Sequence, residues 1–210
     1  MIDKDTFRLS NKCYFGQMKE KDLIVLHTVH ERSAKDHFAA VQKAENRVSC
    51  PYVLDTDGTI YELYDPNFWS LHLKIKREDN VNFNDRRSIG IEICGQGQLR
   101  KKGDSLYSRN KFSLVKYCDM KDEYAYVKTF YRGPEYYTVL TDQQKVGLGV
   151  LVDHLCSRFG IKKKIADEKI RNEFDVPFYS KWQGICTHAN FREDKYDISW
   201  DVIDKAWLGL

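Results

Sequence analysis

Two short stretches near opposite ends of the chain carry residue types able to do chemistry together. Near the start, the apolar run Ile24-Val25-Leu26 ends on His27. Near the end, the segment from Thr187 to Asp197 offers an imidazole at His188, an ammonium at Lys195 and a carboxylate at Asp197. Two histidines and a carboxylate are ligands of the kind a catalytic zinc takes, with the fourth position left to water. Lys195 lies two residues before Asp197, so in extended chain both point to one side. A cation there helps a negative oxygen that develops during reaction. The plain alternative is a solvated charge run, Arg192-Glu193-Asp194-Lys195.

Those groups need elements to hold them. Leu23 to His27 is a short, continuous apolar run, the pattern of a buried strand. Ser33 caps a helical pattern with Ala34, Phe38, Val41 and Ala44 near one face. Tyr52 to Leu54 and Thr59 to Leu63 read as strands around Asp55-Thr56-Asp57-Gly58, whose Asp-Gly pair is a hairpin signal. Ser88 to Cys94 is a further strand. Thr141 and Gln144 form a capping box. Behind it run Leu148, Leu151, Val152, Leu155 and Phe159 in one stripe, ended by Gly160. Gly184 to Thr187 is a late strand leading into His188, and a short helix from Asp201 closes the chain. Strands and helices alternate, which predicts an α/β fold: a mixed central β-sheet flanked by helices, in a single catalytic domain over residues 1–210. Residues 97–136 are rich in Lys, Arg and Tyr with weak periodicity, and read as a partly ordered surface insertion.

Composition narrows the function classes. The 210 residues suffice for one domain with a substantial core. With 13 Tyr, 11 Phe and 4 Trp against 4 Pro, the chain is of the folded class. A net charge of +3 is mild and no nucleic-acid-binding motif is present, so nucleic acid is not expected as a partner. No stretch is apolar enough for stable membrane insertion. The N-terminal residues lack the apolar core of a signal peptide, so the expectation is cytoplasmic synthesis, with a monomer favoured. The 6 Cys show no C-x-x-C spacing, as expected of reduced thiols.

The order of motifs carries a resemblance. His27 ends a strand before a capped helix. The run Val48 to Tyr61 (VSCPYVLDTDGTIY), Trp69 with His72, and Asn84 with Ser88 to Ile93 (SIGIEI) follow in turn, then His188 to Asp197. From about Asp22 to Trp207, apart from 97–136, this resembles the zinc-dependent N-acetylmuramoyl-L-alanine amidases of the type-2 family. That family includes phage amidase-type lysozymes and is related to the peptidoglycan recognition proteins. The resemblance implies Zn2+ held by His27, His188 and Asp197, Glu92 as acid/base, and Lys195 as the oxyanion's cation. It implies peptidoglycan or soluble muropeptides as substrate, cut between N-acetylmuramic acid and L-alanine. It further implies a phage-type endolysin acting on the wall once released, or a wall-recycling amidase.

The chain departs from the family's pattern in places. Some relatives carry a catalytic tyrosine where this chain has Cys50. Many follow the first histidine with Ala-Gly, here Val29-His30, and the Trp-His pair is stretched to Trp69-Ser70-Leu71-His72. Trp69 and His72 are nonetheless expected to line the cleft and touch substrate. Two other classes compete. A non-catalytic wall-binding module would lack the third ligand or the acid/base. A cysteine peptidase would use Cys50 or Cys186 with a histidine, against which stands a buried, inert thiol. His30 reads as exposed, and His37 and His154 as packing or surface residues. Tyr107, Tyr117, Tyr124, Tyr126, Tyr131, Tyr136 and Tyr137 could form a platform for sugar rings or a satellite core; both remain open.

Overall fold

The computed structural model describes residues 1–75, 82–109, 114–129 and 135–210. In chain order the elements are β1 (Ile2–Asp3), β2 (Leu23–Val29), α1 (Ala34–Ala44), β3 (Tyr52–Leu54), β4 (Ile60–Glu62), α2 (Phe83–Arg87) and β5 (Ser88–Cys94). Then come β6 (Gln98–Lys102), β7 (Ser105–Arg109), β8 (Leu114–Asp119), β9 (Tyr126–Lys128), β10 (Tyr136–Thr138), α3 (Asp142–Phe159), α4 (Val176–Tyr179) and β11 (Gly184–Thr187). The main sheet has the order β1-β4-β3-β5-β2-β11. Its centre, β3, β5, β2 and β11, is parallel, and β4 runs antiparallel to β3. This is the expected mixed sheet.

β2 and β5 are central and covered on both faces, which is why their sequences are almost wholly apolar. One face carries Ile24, Leu26, Ile89, Ile91, Ile93 and Ile185, packed against Leu148, Leu151, Val152 and Leu155 of α3. That helix starts where Thr141 and Gln144 close the capping box and stops at Gly160, whose φ of 66° suits a left-handed cap. The other face carries Leu23, Val25 and Cys186 near Leu73, Tyr179 and Phe191. Farther along it, Val29, Val53 and Cys94 meet Ala34 and Phe38 of α1. His27 and Glu92 belong to this second face. The tight turn between β3 and β4 needs Gly58: its φ is 84°, and a Cβ there would stand 2.6 Å from the Gln143 carbonyl oxygen.

Residues 97–136 differ from the expectation. Where described, they form a second, antiparallel sheet of order β8-β7-β6-β10-β9. Leu99, Leu106, Cys118 and Tyr136 bury a small core of their own, with Tyr117 and Tyr126 packed against it. The outer positions are Lys and Arg, so apolar alternation in β6 is reduced to Leu99 alone. Gly103, with φ of 60°, makes the turn between β6 and β7. The tyrosines divide accordingly: Tyr136 and Tyr137 are buried, Tyr124 is 84% exposed, and Tyr131 lies outside the described residues. The expected helix from Asp201 is instead a turn followed by a 3-10 segment, Lys205–Leu208. The reason is local: Ser199 and Asp204 each accept a backbone N–H two residues on, from Asp201 and Ala206, and break the run into short turns. Among the described residues, no helix is long and apolar enough to cross a membrane.

Candidate active site

Strand register brings the remote histidines together. β11 pairs parallel with β2, Thr187 opposite Leu26, so His188 and His27 emerge side by side. Thr187 and Asn190 then form a capping box that turns the chain at His188. His27 Nδ1 lies 3.1 Å from His188 Nδ1. Asp197 Oδ2 lies 2.9 Å from His188 Nδ1 and 3.3 Å from His27 Nδ1. Both rings are buried, at 2% and 4% exposure. Asp197 reaches them because its segment is pinned from behind. Thr28 Oγ1 donates to the Asp197 carbonyl. Gln98 Nε2 and Tyr137 Oη donate to the Tyr196 carbonyl at 2.9 and 3.0 Å.

The electrostatics of this triangle suit a cation. His188 Nε2 donates to the Leu73 carbonyl at 3.0 Å, which leaves Nδ1 without a proton in the neutral ring. Burial holds His188 below its ordinary pKa, against the pull of Asp197, so the ring is neutral near pH 7. The Asp197 carboxylate presents Oδ2 to that bare Nδ1 at 2.9 Å, two sets of lone pairs that a cation between them would relieve. Ligands of a tetrahedral zinc stand about 3.3 Å apart when each is about 2.0 Å from the ion. The three edges, 2.9 to 3.3 Å, are close to that spacing.

Glu92 is the register partner of His27 on β5 and is half-buried. The Cys50 thiol donates to its Oε1 at 3.4 Å. Lys195 is half-buried two residues before Asp197, and makes no ion pair among the described residues. Arg192, by contrast, pairs with Asp194 through Nε at 2.8 Å.

The two expected substrate contacts also have partners within the protein. His72 is 7% exposed, with Nδ1 at 2.9 Å from His27 Nε2 and Nε2 at 2.8 Å from Ser88 Oγ. Burial, then His27, His188 and Lys21, holds its pKa well below the ordinary value. Trp69 stacks on Phe15 with centroids 4.1 Å apart, and the Arg86 guanidinium lies 5.8 Å from its ring centre. His30 is exposed and His37 is buried at the start of α1, its Nδ1 3.6 Å from Glu31. Cys50 and Cys186 are buried, and burial pushes both thiols upward, Glu92 adding to the shift at Cys50. Neither is set up as a thiolate nucleophile.

Sequence reasoning gave Gly90, Ser88 and Gln98 no part in the site, and read Tyr137 only as a platform or satellite-core residue. A second donor set overlaps the first: ligand atoms of His27, Cys50 and His72 also lie within 4.8 Å of one another. Gly90 makes it possible, since a Cβ there would stand 2.4 Å from Cys50 Sγ and 3.0 Å from His72 Nδ1. A glycine inside a strand is a signal of close approach, and SIGIEI contains one.

Solved structures share this fold. The structure resembles the N-acetylmuramoyl-L-alanine amidase LysC from Clostridium intestinale URNW, at 15% identity and a TM-score of 0.51, covering 100% of this chain and 98% of that one. It resembles the catalytic domain of XlyA at 16% identity and TM-score 0.55, covering 100% and 99%. For an AmpD derivative the values are 17% and 0.52, covering 97% and 92%. At such identities the agreement speaks for the fold. No curated protein sequence matches significantly. The profile of the N-acetylmuramoyl-L-alanine amidase family matches residues 17–198, and the chain belongs to that family of peptidoglycan hydrolases.

Proposed function

We propose that the chain cleaves the amide between the lactyl group of N-acetylmuramic acid and L-alanine, with Zn2+ held by His27, His188 and Asp197. The observation that carries this reading is the triangle of two imidazole nitrogens and a carboxylate oxygen, with edges of 2.9 to 3.3 Å. His27, His188 and Asp197 would hold the ion, which would supply an activated water and a Lewis acid for the substrate carbonyl. Glu92 takes the proton of the attacking water and returns it to the leaving amine. The Cys50 thiol occupies Oε1 of Glu92 and leaves Oε2 for that proton. Lys195 steadies the oxyanion. His72 supports His27 rather than gripping substrate, since both its nitrogens are bonded within the protein.

The same chemistry serves an endolysin attacking intact wall and a recycling amidase attacking soluble muropeptides. The partner in either case is peptidoglycan material, not nucleic acid. The test is an assay on purified sacculi and on soluble muropeptide in parallel. New free amino groups on alanine, without new reducing sugar ends, are expected, and the faster substrate separates the two settings. Reducing ends without free alanine amines would remove the amidase reading.

A further inference from the structure

Two overlapping donor sets compete for one ion. His27, His188 and Asp197 form one; His27, Cys50 and His72 form the other. They share His27, through opposite nitrogens, so the ring's proton decides between them.

The position of that proton follows from the hydrogen bonds beneath the ring. A backbone carbonyl only accepts, so Ser88 Oγ donates its hydrogen to Asn84 O at 2.5 Å. Ser88 Oγ therefore accepts at 2.8 Å from His72 Nε2, which carries the His72 proton. His72 Nδ1 is then a bare lone pair, and at 2.9 Å it accepts from His27 Nε2. In its neutral form His27 thus holds its one proton on Nε2 and turns an unprotonated Nδ1 toward His188 and Asp197.

We propose that Ser88, acting through His72, is a positioning residue that fixes this tautomer of His27 and so directs the metal to the His188–Asp197 side of the ring. On the Cys50 side both imidazole donors are consumed by their mutual hydrogen bond, and the Cys50 thiol spends its proton on Glu92. Gly90 is part of the device: it leaves room for His72 to sit on the sheet beside β2. The inference rests on the zinc reading above and adds which ring face takes the ion and what enforces it.

The experiment uses the full chain. Zinc affinity is measured for wild type, Ser88→Ala and Ser88→Thr, with nitrogen-15 NMR of the His27 ring in each. Ser88→Ala is expected to bind zinc about 10–100-fold more weakly and to mix the His27 tautomers, as loss of a group supporting a ligand does. Ser88→Thr restores the hydroxyl and should restore both. Cobalt substitution reads the side directly, because only the Cys50 set contains sulfur. No near-ultraviolet thiolate-to-cobalt band is expected in wild type. Such a band, absent from Cys50→Ser, would overturn the proposal, as would a Ser88→Ala variant with unchanged affinity and tautomer. Asp197→Asn is the separate control: if it kept full zinc affinity, the metal reading itself would fall, whatever Ser88 did.

Discussion

Tyr137 of β10 donates its hydroxyl to the carbonyl of Tyr196, 3.0 Å away, and so ties the second sheet to the segment that presents Asp197. Gln98 of β6 donates to the same oxygen at 2.9 Å. Replacing Tyr137 by Phe is expected to cost about 1 kcal/mol of stability, the usual worth of one neutral hydrogen bond. Adding Gln98→Ala should lower zinc affinity further than the two changes do singly, because the partners share one acceptor. Isothermal titration with zinc checks this. A double variant with wild-type affinity would separate the second sheet from the site.

Glu92 stands opposite His27 in the register of β5 and β2. Its replacement by Ala is expected to lower turnover about 10²–10⁴-fold, the range of general acid–base catalysis. Zinc content should remain that of wild type, since Glu92 is outside the ligand triangle. Metal analysis beside the sacculus assay decides; full turnover without the carboxylate would remove Glu92 from the acid/base role.

Gly90 has no room for a methyl group, which would stand 2.4 Å from Cys50 Sγ. Gly90→Ala is expected to cost about 1–3 kcal/mol through overpacking, read as a lower denaturant midpoint. Shortening the neighbour, in Gly90→Ala with Cys50→Ala, should recover part of that loss. Recovery of none would place the strain elsewhere.

Lys21 makes stability depend on pH. Its ammonium is buried, donating to the carbonyls of Arg86 and Ser88 at 2.8 and 3.1 Å. Burial, against the pull of Asp85, lowers its pKa to about 7. In the unfolded chain it titrates near about 10.4. Between those values the unfolded state binds more protons, so stability rises with pH across that window and is flat below it on account of this group. Urea unfolding at pH 6.5 and pH 9 should show wild type gaining on Lys21→Met. Parallel behaviour of the two proteins would contradict it.

Thiol reagents should discriminate poorly between active and inactive protein. Cys50 and Cys186 are 0% and 1% exposed, and their thiols are held protonated by burial. Iodoacetamide under native conditions is therefore expected to leave turnover intact, whereas a zinc chelator abolishes it. The reverse pattern would restore the cysteine peptidase.

Local rules made much of the fold legible. The apolar runs predicted β2, β5 and β11, Asp57-Gly58 predicted the turn between β3 and β4, and Thr141 with Gln144 predicted the start of α3. Each is a statement about neighbours in the chain, where alternation, caps and turn residues act. The residue types of the site, and their order, were legible for the same reason. The second sheet was not, because its outward positions are charged and its apolar side is narrow. Tertiary structure alone decided the rest. His27 and His188 are 161 positions apart, and their 3.1 Å approach depends on which strand lies beside which, and in what register. Which nitrogen of each ring is free depends on carbonyls and hydroxyls from Leu73, Asn84 and Ser88, all distant from both histidines in the chain. Residue identity supplies a donor or acceptor, and only the folded arrangement assigns its proton.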